Sequence, residues 1–125
     1  MDLIIGGAYQ GKTEYVMRTY GLEPDGIFSC GEEGLPDWDA PCVRHLERFA
    51  LWCIRRGEQP EREILAYRDR WKNSVLVCDD ISCGVVPMDA EDRAWREGTG
   101  RMLAALSREA NTVTRLFCGL PQRLK

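Results

Sequence analysis

Histidine is nearly missing from this sequence: one residue, His45, in 125. No two cysteines stand in a C-x-x-C pair, which argues against a zinc site of the usual spacing. An excess of basic charge is also missing. Seventeen Lys and Arg face 20 Asp and Glu, for a net charge of -3. Overall electrostatic attraction to nucleic acid or to an anionic membrane is therefore not expected. No apolar run approaches the roughly 20 residues of a membrane span. The opening MDLIIGG carries an acid and no basic lead, so it does not read as a signal peptide. Repeats, low-complexity tracts and linkers are absent. What remains is a length suited to one domain, with 44% hydrophobic and 30% charged residues, a soluble globular balance. Several of the six cysteines (Cys30, Cys42, Cys53, Cys78, Cys83, Cys118) lie in apolar runs such as VLVCDD and RLFCGL. They read as buried, reduced thiols of a cytoplasmic protein.

What is present is an alternation of short apolar runs with amphipathic stretches. LIIGG predicts a buried strand. A helix is expected from Lys12 through Tyr20, stopped by Gly21 in a left-handed cap. GIFSC (26–30) predicts a second strand, and 31–41 is rich in loop residues and the best candidate for a mobile segment. Residues 41–57 are expected to be helical, with Val43, Leu46, Ala50, Cys53 and Ile54 on one face. Pro60 suits the first turn of a further helix over 60–72. SVLVCDD (74–80) predicts a strand ending in two acids, followed by a loop. A long helix is expected to start near Asp89, whose side chain caps it, and to close at Asn111. TVTRLFC (112–118) predicts a last strand, with GLPQRLK as a tail. The fold class implied is α/β, a P-loop NTPase-like three-layer sandwich around a mainly parallel sheet, in one domain over 1–125.

The stretch GGAYQGKT completes the pattern G-x-x-x-x-G-K-[ST] between an apolar strand and a helix. Glycines let backbone amides turn inward onto oxygen atoms, and the helix start adds a positive dipole end. Gly6, Gly7, Ala8, Tyr9, Gln10, Gly11, Lys12 and Thr13 are thus the candidate nucleotide-binding loop. Lys12 would reach the outer phosphates of ATP or GTP, and the Thr13 hydroxyl would bind Mg²⁺. Asp79 and Asp80, at the end of a buried strand, are the candidate second anchor for the metal. Which of them binds the ion and which faces the reacting group stays open. Arg93, Arg96 and Arg101 are either solvated surface arginines or contacts to phosphate or substrate.

LIIGGAYQGKT, VLVCDDISCGVVPMDAEDRAWREGTGR and the closing CGLPQRLK together resemble the adenosylcobinamide kinase / adenosylcobinamide-phosphate guanylyltransferase family of cobalamin biosynthesis. The resemblance covers residues 1–20 and roughly 74–125. It implies phosphorylation of the adenosylcobinamide hydroxyl by a nucleoside triphosphate, then GMP transfer from GTP through a guanylylated histidine. It also implies a homo-oligomer. On this resemblance Lys12 and Asp80 are candidate catalytic residues, and His45 is the candidate nucleotide carrier. The chain departs from the family pattern in having Asp79-Asp80 for Asn-Glu and Ser82 for Gly, and in being shorter between the loop and residue 74. A catalytically reduced nucleotide-binding regulatory subunit is the alternative reading. A P-loop kinase acting on another alcohol or nucleotide is the third.

Overall fold

The computed structural model describes residues 1–81 and 89–125. The expectations placed on Ser82, Cys83, Gly84, Val85, Val86 and Pro87 lie outside the described residues. The apolar run at the start forms β1 (Asp2–Gly6), and Lys12–Tyr20 forms α1. Gly21 caps α1 at φ 65°, its N–H donating to the Met17 carbonyl, as expected of a left-handed glycine. β2 (Ile27–Ser29) follows.

The expected helix over 41–57 is corrected at its front. Cys42–Arg44 is a strand, β3, and α2 runs only from Leu46 to Arg55. The expected helix over 60–72 is two short ones, α3 (Pro60–Leu65) and α4 (Arg68–Trp71). β4 (Val75–Asp79) and α5 (Ala90–Glu109) come next. Asp89 caps α5 as expected, its Oδ1 accepting from the Asp92 N–H at 2.7 Å. β5 (Thr112–Phe117) is followed by an unforeseen β6 (Leu120–Arg123) in what reads as a tail.

The sheet order is β2-β3-β4-β1-β5-β6. Every pairing is parallel except that of β5 with β6. Leu3, Leu76, Cys78 and Val113 pack with α2, α3 and α5 on one face. Ile4, Val75, Val77 and Leu116 pack against Val16 of α1 on the other. Helices on both faces explain why these strands read as continuous apolar runs rather than alternating ones. The architecture is the expected α/β three-layer sandwich.

The 31–41 loop is pinned over its last residues. Trp38 is fully buried, edge-on to Phe49 and stacked on Tyr67. Beside it Asp39 takes a two-pronged ion pair from Arg70, at 2.9 and 3.2 Å. Cys30, Cys42, Cys53 and Cys78 are buried free thiols, as expected, but Cys118 is exposed. It sits at φ 50° in the turn between β5 and β6, where its apolar neighbours no longer face a core.

Candidate functional site

Two carboxyl strand ends meet beside α1. Gly6 closes β1 in register with Asp79 at the end of β4. Gly6 is there because no side chain fits. A Cβ would stand 2.6 Å from the Leu116 carbonyl oxygen of the neighbouring strand. The chain then turns through Tyr9 (φ 60°) and Gly11 (φ 85°) into α1, which starts without a side-chain cap. Amides at such a start lack intrahelical partners and suit an anion.

The loop borders a cavity of about 540 Å³ lined by residues 8–14, Arg44, His45, Arg48, Val77 and Asp79. Lys12 is 7% exposed, and its ammonium lies 2.9 Å from Asp79 Oδ1. It also donates to the Gly7 carbonyl. The Thr13 hydroxyl accepts from Arg44 Nη1 at 2.8 Å, while Arg44 Nε donates to Ser29 Oγ. Asp80 follows Asp79, its N–H donating to the Gly6 carbonyl at 2.8 Å. That bond ties the two strand ends together.

His45 is the N-cap residue of α2, in the turn from β3, at φ 61°. It is not inside a helix, as the sequence pattern implied, but at a strand end facing the cavity. A non-glycine residue held there is uncommon and marks a constrained turn. Its Nδ1 lies 3.3 Å from Glu47 Oε1. That same oxygen accepts from the Asp79 N–H at 3.1 Å. Burial, then the neighbouring Arg48 cation, holds the His45 pKa below its ordinary value. Burial and the Asp79 charge push Glu47 up to about 7.

Of the residues singled out in the sequence, Ala8, Tyr9, Gln10, Gly11, Lys12, Thr13, Asp79 and His45 line this one cavity, while Gly6, Gly7 and Asp80 adjoin them in the chain. Arg93, Arg96 and Arg101 are on α5 and are not among the residues lining this cavity. Arg101 instead borders a second cleft of about 380 Å³, with Pro60, Glu97 and Gly98. Arg44, Glu47 and Arg48 are the site residues that sequence reasoning missed. The signal was there: a charged cluster RHLER directly after a two-residue apolar run, which reads as a strand's carboxyl end once CVR is a strand.

The glycine turn at the end of β1 and the two-faced parallel sheet define a P-loop-like α/β protein. Residues 53–124 match the model of the cobinamide kinase / cobinamide phosphate guanyltransferase family. The match covers more than half the chain, and the chain belongs to that family. Membership implies a role of that type in cobalamin biosynthesis, with nucleotide and cobinamide as the family's substrates. No curated protein matches the chain. The matched segment contains Asp79 and α5. The glycine loop and His45 precede it.

Proposed function

We propose that this protein is a nucleotide-dependent kinase of adenosylcobinamide. The observation that carries the reading is the Lys12–Asp79 ion pair inside the cavity bordered by the glycine loop. A buried ammonium that already pairs with a carboxylate can exchange it for phosphate oxygen at little cost in solvation. On this reading the loop amides and Lys12 bind the β- and γ-phosphates of ATP or GTP. Arg44, directed at Thr13, adds a second cation on the phosphate side.

Mg²⁺ fits the donor chemistry, since a hydroxyl and a carboxylate, Thr13 and Asp79, face one cavity. They would hold the ion, with Asp80 next in the chain. When bound, it would neutralise charge on the triphosphate. The protein's own part is positioning and electrostatics, with little covalent work. The test is γ-phosphate transfer from labelled ATP and GTP with and without adenosylcobinamide. Corrinoid-dependent transfer, lost in Lys12→Ala, is the expected result. Tight nucleotide binding without transfer would favour the regulatory-subunit reading. Transfer to a different alcohol would favour a kinase of another substrate.

A second reading, GMP transfer, is favoured by one observation: His45 lines the same cavity as Lys12. Glu47 at Nδ1 would leave Nε2 with its lone pair. Nε2 would attack the α-phosphorus of GTP and expel pyrophosphate. A cobinamide phosphate oxygen would then take the GMP and free the imidazole. Acid-labile label from α-labelled GTP is expected on the parent and not on His45→Ala. Equal labelling of both would remove His45 as the carrier. We further propose a homo-oligomer, checked by sedimentation of the purified chain, and a cytoplasmic location.

A further inference from the structure

His45, Glu47 and Asp79 form a donor set at one edge of the cavity, with Asp79 shared with the Lys12 ion pair and with the proposed Mg²⁺. We propose that these three side chains bind a divalent ion of borderline softness, Mn²⁺ or Zn²⁺ in class, beside the glycine loop. One donor atom from each lies within 4.8 Å of the others. His45 Nδ1 and Glu47 Oε1 are 3.3 Å apart. Two ligands bound to one ion at the usual Zn–N and Zn–O lengths stand about 3.4 Å apart across a tetrahedral angle.

A second observation points the same way. The Glu47 side chain is only 6% exposed. Its Oε2 is buried and has no hydrogen-bond partner among the described residues. A carboxyl oxygen left so is costly in the interior, and a cation that displaced the carboxyl proton would answer it. The chemistry of the set also selects the ion. Two carboxylates alone would suit Mg²⁺ or Ca²⁺, but an imidazole shifts preference to Mn²⁺, Fe²⁺ or Zn²⁺. Lys12, Arg44 and Arg48 line the same cavity, so like charge holds the affinity to the micromolar range rather than tighter. Ion binding at Asp79 competes with the Lys12 ammonium and frees it.

The test uses neither nucleotide nor Mg²⁺, and His45 and Glu47, which the proposed Mg²⁺ site does not use, tell the two sites apart. Mn²⁺ is the probe, because it avoids the free thiols that Zn²⁺ would also find. It is titrated into the full chain while free Mn²⁺ is followed by electron paramagnetic resonance. In parallel, the imidazole proton signals are watched. They belong to His45 without ambiguity, as it is the only histidine. The expected result is one ion per chain at micromolar affinity, with the His45 signals broadened at substoichiometric Mn²⁺. His45→Gly, which tolerates the left-handed backbone, and Asp79→Asn should each weaken binding tenfold or more. Thermal melting checks that both variants fold. No saturable binding below millimolar Mn²⁺ would overturn the proposal. So would an affinity within twofold of the parent in either variant, or sharp His45 signals at saturation. Failure of Lys12→Ala to alter nucleotide binding would leave this result untouched.

Discussion

At the scale of one residue, Glu47 is the group whose environment most opposes its solution chemistry. Its carboxyl is held protonated up to about pH 7, against 4.5 when free. Below the lower value both folded and unfolded chains carry the proton. Between the two values the unfolded chain releases it first, so ionisation favours unfolding. Stability from this group therefore falls as pH rises through that window and levels off above it. The size is on the order of 3 kcal/mol over the whole window, and about 2 kcal/mol between about pH 5 and about pH 7.5. Glu47→Gln cannot ionise and should escape the penalty. Measured by urea unfolding at about pH 5 and about pH 7.5, the variant should gain on the parent by roughly that amount. An unchanged difference between the two proteins would show that Glu47 ionises normally. The thiols give a second reading at this scale. Burial pushes Cys30, Cys42 and Cys53 up to about 12, and Cys78 well above its ordinary value. With little thiolate and little access, these four should resist alkylation under native conditions. Cys118 is exposed, and mass mapping after a short pulse of iodoacetamide should find it modified while those four are not.

At the scale of elements, α5 holds two glycines that behave oppositely. A Cβ on Gly98 would meet Ile54 Cδ1 at 3.1 Å and the Pro60 ring at 3.3 Å. Gly98 is the point where α5 lies against α2 and α3. A Cβ on Gly100 meets nothing within 4 Å. Gly100→Ala should stabilise by about 0.5–1 kcal/mol through helix propensity alone. Gly98→Leu should destabilise by about 1–3 kcal/mol through overpacking. Thermal melts of the two variants should move in opposite directions. Shifts of the same sign would deny the close helix crossing.

This layer of the molecule was also where the sequence was least legible. The loop, α1, β4 and α5 stand where their patterns put them, because each has a long period or a specific cap. β3 did not show. It has three residues, and Cys42 and Val43 are both buried, one toward each face of the sheet. Without alternation, Val43 joined Leu46 and Ala50 in a false helical stripe. With β3 hidden, Arg44, His45 and Glu47 could not be placed at a strand end. β6 was hidden by Pro121 and by full exposure, both natural on an edge strand.

At the scale of the whole molecule, the turn between β5 and β6 closes on the glycine loop, which lies more than 100 residues earlier in the sequence. Residues 118 and 119 follow β5 and lie against the glycine loop. The Cys118 N–H donates to Gln10 Oε1, and the Gly119 N–H donates to the Gln10 carbonyl at 3.1 Å. β6 then returns along β5, and the Leu124 N–H reaches the Val113 carbonyl at 2.8 Å. The hairpin thus braces the loop from outside while Lys12 and Asp79 brace it from within. A loop whose amides must converge on phosphate loses affinity when it is free to move, since binding then has to order it. Ending the chain after Phe117 removes both hydrogen bonds to Gln10, each worth about 0.5–1.5 kcal/mol. Nucleotide affinity should fall about tenfold as a result. Gln10→Ala removes only the side-chain bond and should cost about threefold. Calorimetric titration with Mg²⁺–GTP and Mg²⁺–ATP measures both, with circular dichroism confirming a folded sheet. If the shortened chain binds nucleotide as tightly as the intact one, the hairpin closes the sheet edge and does nothing for the loop.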